Sequence, residues 1–154
     1  MRIVLKLVLD CEPDVAWRAI RDPAVFRAVS RPLTSFESLE PGGFPHTWPE
    51  GVHRLFGRAF GVLPMGEQTI DLAFLRRGDT RLVRDTGEGV SGPLAVVTGW
   101  EHTMAVSPNP GGGTLFRDRL RFSAGPLTPA LWPVFWAFWQ WRAFQLSRLA
   151  PTWH

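Results

Sequence analysis

The chain has 154 residues, 45% of them hydrophobic and 20% charged, which is long enough for one unstapled core and too apolar for disorder. Its single cysteine, Cys11, excludes an intramolecular disulfide and a cysteine-built zinc cluster, and fits a reducing, cytoplasmic setting. Seventeen basic against fourteen acidic residues leave only +3, a weak argument for nucleic acid; the anomaly is eight tryptophans and eleven phenylalanines with no tyrosine.

Residues 1–10 alternate, with Ile3, Leu5, Leu7 and Leu9 on one face and Arg2, Lys6 and Asp10 on the other, which predicts a half-buried strand. With Lys6 in the middle and no small-residue cleavage site, the segment does not read as a signal peptide. Pro13 and the Asp22-Pro23 pair then open two short helices, about 13–21 and 23–29. A strand is expected near 33–39, followed by a Pro/Gly-rich loop over 41–51 whose Phe44 and Trp48 suggest a lid.

Five apolar or alternating runs follow at 52–61, 65–75, 80–86, 95–106 and 114–123, separated by connections mostly too short for a crossover helix, so antiparallel hairpins are expected. The only long helix candidate runs from Thr128, read as its cap, to about Leu149. Its apolar run, 130–139, is ten residues, against roughly 20 needed to span a membrane. The whole of 1–154 reads as one domain without repeats or linkers.

This order carries local strings with a family pattern: Val15-Ala16-Trp17-Arg18-Ala19-Ile20-Arg21-Asp22-Pro23, Phe60-Gly61-Val62-Leu63-Pro64-Met65-Gly66, Asp85-Thr86-Gly87-Glu88-Gly89, Trp100-Glu101-His102, and Asp118-Arg119 leading through Phe122 and Gly125 into an aromatic helix with Arg142. In these strings and their spacing the chain resembles the SRPBCC superfamily, the START-related, birch-pollen-allergen-like proteins, over essentially its whole length. The resemblance implies an α+β helix-grip fold: a curved antiparallel sheet of about seven strands, two short N-terminal helices, and a long C-terminal helix gripped over an apolar cavity. Members include polyketide aromatase/cyclases and lipid and hormone carriers, so the fold alone decides little about chemistry. One departure is that the last helix, where bacterial relatives often carry a Tyr and several Arg or His, is dominated here by Phe135, Trp136, Phe138, Trp139, Trp141 and Phe144.

On the terminal helix, Trp132, Trp136, Trp139, Ala143, Leu146 and Ala150 share a stripe expected to face the sheet, yet the first three turns are apolar nearly all round. Three readings follow: core plus cavity wall, a homodimer or partner patch, and peripheral membrane contact.

The sharpest polar candidates lie on neighbouring strands. Trp100, His102 and Met104 share one face of 95–106, and Phe116, Asp118, Leu120 and Phe122 share the face of 114–123 opposite Arg117, Arg119 and Arg121. Three arginines belong in water, so Asp118 points inward, and a hairpin at 107–113 brings it near His102. A buried carboxylate beside an imidazole has to pair. Such a pair is either a structural hydrogen bond or a general acid/base for proton abstraction beside a carbonyl.

Other motifs fail on context. Gly87-Glu88-Gly89-Val90-Ser91-Gly92 spells G-x-G-x-x-G, but Pro93 and Val96-Val97-Thr98 stand where a phosphate-binding helix would start. The four histidines are scattered, so no metal and no cofactor is expected. The expected function is binding of a small hydrophobic molecule by Trp100, His102, Asp118, Phe116, Trp136 and Trp139. An aromatase/cyclase-like enzyme using His102 and Asp118 is the alternative from the enzyme class, and a dimerisation or membrane-surface module the alternative from the interaction class.

Overall fold

The computed structural model describes residues 1–154. The alternation at the N-terminus forms β1 (Arg2–Leu9), with Ile3, Leu5 and Leu9 buried and Lys6 in solvent. Helices α1 (Pro13–Ile20) and α2 (Pro23–Ser30) each start on a proline, whose missing N–H is one of the unpaired donors of a first turn anyway. Asp22 separates them by accepting from the Ala24 amide at 2.7 Å. Strands β2 (Thr34–Ser38), β3 (Gly51–Ala59), β4 (Leu63–Arg77), β5 (Thr80–Asp85), β6 (Gly99–Pro108) and β7 (Thr114–Ser123) precede helix α3 (Thr128–Leu149).

All seven strands form one curved antiparallel sheet in the order β1-β7-β6-β5-β4-β3-β2. Pairing of β1 with β7 sets Leu5 opposite Asp118 and Ile3 opposite Leu120, and α3 packs beside this edge. The result is the helix-grip architecture that the resemblance implies.

Three local expectations shift. Pro64 does not lie in the break between the runs 52–61 and 65–75: β4 starts at Leu63 and runs through it, because a bulge at Met65 and Gly66 (φ +110°) lets Arg58 pair with Pro64 and Gly57 with Gly66. The segment 95–98 is not strand; residues 92–96 make one 3₁₀ turn, and β6 begins only at Gly99. Tertiary pinning overrides β propensity here, since the preceding loop is bonded to β4 through Thr69–Glu88 and Val90–Glu67 backbone contacts. Thr128 does not cap α3 by bonding forward into the first turn; its hydroxyl accepts from Ala124 N at 2.8 Å and donates to Gly125 O at 2.7 Å.

The interior divides into two apolar clusters. One gathers Leu9, Ile20, Val29, Trp48, Val83, Phe116 and Leu146 under α1 and α2. The other gathers Ile3, Leu5, Leu120, Phe122, Trp139 and Ala143 under the first half of α3.

Candidate functional site

Strand and helix periodicity place three polar side chains at the seam between these clusters. On β7, Asp118 lies between Phe116 of one cluster and Leu120 of the other; on α3, Arg142 lies between Leu146 and Trp139; on β6, His102 lies between Met104 and Trp100. All three are buried. They form a polar layer across an otherwise apolar interior.

Across the β6–β7 hairpin His102 stands opposite Leu120, and Asp118 opposite Met104, so the two side chains meet on a diagonal. His102 Nε2 lies 2.8 Å from Asp118 Oδ1, and the Trp139 indole N–H donates to that same oxygen at 2.9 Å. The other oxygen, Oδ2, has no partner. Burial acts most strongly on this carboxyl and pushes its pKa up, but the charge and hydrogen bond of His102, the charge of Arg142 and the Trp139 bond together outweigh it. Asp118 therefore sits below the ordinary carboxylate range.

Arg142 is the counterpart left unpaired. Its Nε has no partner and Nη2 reaches only Met104 Sδ at 4.0 Å, while the guanidinium carbon sits 5.0 Å from the Trp139 ring centre. Desolvation lowers its pKa against the opposing pull of Asp118 and Asp85. Asp85, opposite His102 on β5, is fully engaged: Oδ1 accepts from the Asp71 and Gly87 amides, each at 2.9 Å, and Oδ2 from the Trp100 indole at 3.1 Å.

Beside this layer lies a chamber of about 60 Å³ between the sheet, α1, α2 and α3. Of its fifteen lining residues eleven are hydrophobic, and the remaining four are Arg21, Asp85, His102 and Arg142. Trp48, from the loop 39–50, closes one side, packed edge-on against Phe26 and Phe44 and held by its amide to Arg21 O at 2.8 Å. An open groove of about 560 Å³ runs across the strand ends near Met1, Gly99 and Ser123, but it is too exposed to enclose a guest.

Of the six residues expected to bind a ligand, His102 lines the chamber. Asp118 and Trp139 stand directly behind it, and Trp100 packs on Trp139 and Phe135 with ring centres 5.9 and 5.7 Å apart. Phe116 is wholly buried in the cluster under α1 and α2. Trp136 is 45% exposed and stacks on Trp132, away from the chamber. Of the expected stripe Trp139, Ala143, Leu146 and Ala150 are buried, and Trp136 is the member that turns out; Phe135, at the edge of the stripe, takes the inward place, its ring centre 4.6 Å from that of Phe122. Val134 and Phe144 remain exposed on the outer face of α3.

Arg21, Asp85 and Arg142 were not read from the sequence as site residues. The available signal for Arg142 was its spacing, three residues after Trp139 and four before Leu146, which keeps it on the buried stripe. Burial, the largest influence, raises the Cys11 thiol pKa and so works against the thiolate form a nucleophile needs.

No protein-family model matches the sequence, and no match by sequence was found among curated proteins. Solved structures do match in shape. A protein from Chromobacterium violaceum superposes with a TM-score of 0.67 at 18% identity, covering 97% of this chain and 96% of its own. A truncated norcoclaurine synthase from Thalictrum flavum gives 0.65 at 15% identity, covering 97% and 92%. An AHSA1-like protein from Aeromonas hydrophila gives 0.61 at 18% identity, covering 96% and 90%. At these identities the likeness establishes the helix-grip fold. No helix of the chain is long and apolar enough to cross a membrane.

Proposed function

We propose that the protein binds a small, mainly hydrophobic molecule in the chamber between the sheet and α3. The observation that carries this reading is the chamber wall itself: a mostly apolar lining on which Arg142, His102 and Asp85 converge. A few polar groups in an apolar concavity are the ordinary make-up of a small-molecule site. As closed, the chamber is smaller than the roughly 150 Å³ that admits benzene, so a larger guest takes the space now filled by Trp48. Native mass spectrometry of the freshly purified protein tests the reading: a co-purifying small molecule that is lost in His102→Ala supports it. A chain that carries no guest and takes up none of a panel of small apolar compounds, even as Trp48→Ala, refutes it.

A second reading is favoured by one specific contact. His102 lines the chamber and its Nε2 is held by Asp118 at 2.8 Å, the pairing of a general base oriented by a carboxylate. Turnover of a polyketone substrate that disappears in His102→Ala would mark a cyclase-like enzyme. The exposed Val134, Trp136 and Phe144 favour an outward role for α3, in a dimer or at a membrane surface. Sedimentation and liposome flotation decide that role, and a monomer that ignores liposomes removes it.

A further inference from the structure

Two guanidinium Nε groups at the chamber wall have no hydrogen-bond partner in the protein. Arg142 is only 7% exposed, its Nε is partnerless, and no carboxylate of the chain lies within ion-pair distance. Arg21 also lines the chamber with a buried, partnerless Nε, its guanidinium carbon stacked 4.5 Å from the Phe74 ring centre and 5.4 Å from that of Trp17. The one carboxylate in the wall, Asp85, has both oxygens committed to the Asp71 and Gly87 amides and to Trp100. Asp118 spends Oδ1 on His102 and Trp139, and its Oδ2, although itself without a partner, makes no hydrogen bond or ion pair with Arg142. A buried guanidinium without a partner is costly, and buried donors left unsatisfied call for an explanation.

We propose that the chamber seats the carboxylate of an amphipathic acid on Arg142, with Arg21 as the second cation at its wall. This rests on the reading that the chamber is a binding site, and it names the chemical class of the guest. Shape and size agree. A carboxylate is a planar group of three heavy atoms that the guanidinium fork binds through two parallel hydrogen bonds. The present 60 Å³ admits such a head group with no more than a short stem. The apolar remainder of the guest lies along Val25, Phe26 and Trp48, which line the chamber on the side of α2 and the 39–50 loop.

The test is calorimetric titration of the full chain at neutral pH with hexanoate and with 1-hexanol, in Trp48→Ala, whose enlarged chamber has room for either compound, and in that variant with Arg142→Met or Arg21→Met added. We expect hexanoate to bind at least tenfold tighter than hexanol, and Arg142→Met to lose that preference while still binding hexanol. Trp48→Ala with Arg142 intact also supplies a readout that needs no folded Arg142 variant: the nitrogen-15 resonance of Arg142 Nε–Hε moves on addition of hexanoate and stays on addition of hexanol. Equal binding of acid and alcohol overturns the head-group assignment and leaves the chamber standing as a site. A preference for acid with the Arg142 resonance unmoved overturns it too, because the anion is then bound elsewhere. Binding of neither compound by Trp48→Ala removes the assignment together with the binding site.

Discussion

His102 and Asp118 meet at 2.8 Å although they are two residues out of direct opposition across the β6–β7 hairpin. The diagonal matters because it frees the positions directly opposite, Leu120 and Met104, to belong to different apolar clusters, so the polar pair lies in a seam and interrupts neither.

That pair sets the acid limb of stability. The folded Asp118 carboxyl lies below its ordinary range, against an unfolded value of about 3.9. Its ionised form therefore contributes stability that is whole above the unfolded value and drains away as pH falls through the lower, folded one. Asp118→Asn should make the protein less stable at pH 7, and the gap between variant and wild type should close as the buffer is taken from about pH 5 to pH 2. Urea unfolding at each pH measures this, and a gap that is constant with pH would show that the carboxylate charge is not what holds the pair. Asp118→Ala, which strands His102 and the Trp139 indole without an acceptor, should cost about 3–5 kcal/mol at neutral pH.

Trp139 separates packing from hydrogen bonding. Its ring packs edge-on against His102, Trp100, Phe135 and Phe138 while its N–H donates to Asp118. Trp139→Phe keeps most of the packing and loses a bond to a charged acceptor, about 1.5–3 kcal/mol. Trp139→Ala adds a cavity and should cost about 3–5 kcal/mol. In a double-mutant cycle with Asp118→Asn the Phe variant should couple, and independent, additive losses would place the Trp139 contribution in packing alone.

The inward placement of Asp118 was legible because β7 writes its faces plainly: Arg117, Arg119 and Arg121 alternate with Phe116, Asp118, Leu120 and Phe122, and three arginines have only one place to go. The same reasoning turned His102 inward, and the pair followed from the hairpin. Helix α3 carried far less information. With apolar residues around most of its circumference, periodicity does not define its phase, and Trp136 and Phe135 compete for the inward place on equal hydrophobic terms. The sheet decides between them through Trp100 and Phe122. Arg142 was hidden for the opposite reason: an arginine is expected in solvent, and only its partnerless burial in the folded chain marks it. Asp85 carries no site signal in the sequence, because one of the backbone amides it accepts from belongs to residue 71, remote in sequence, and the other to Gly87.

The G-x-G-x-x-G string has its own physical account, which makes a prediction. A Cβ at Gly87 would stand 2.0 Å from Thr69 O, and one at Gly89 2.0 Å from Leu94 O, so these glycines serve the close approach of the 86–91 loop to β4 and to the following turn. Gly87→Ala should cost at least about 3 kcal/mol or abolish soluble expression, because the clash is with backbone that cannot step aside. Gly42→Ala, with no atom within 4 Å of the added carbon, should change stability by no more than about 0.5 kcal/mol. Thermal melts of the two variants side by side check this, and similar melting points would refute the packing account.

The position of the chamber can be tested by setting two tryptophans against each other. Trp48 is 4% exposed and lines the chamber, whereas Trp136 is 45% exposed and stacks only on its helical neighbour Trp132. Trp48→Ala removes an indole held among Phe26, Phe44 and His53, at a cost of about 3–5 kcal/mol, and joins its volume to the chamber. A mostly apolar cavity of that size admits a small aromatic guest. Titration with toluene, followed by the methyl resonances of Val29, Ile70, Leu72 and Leu146 in the chamber wall, should show binding to Trp48→Ala and none to the wild type. Trp136→Ala should behave as the wild type does. The opposite pattern, with toluene admitted by Trp136→Ala and refused by Trp48→Ala, would move the site beneath the aromatic turns of α3 and away from the seam that His102 and Arg142 share.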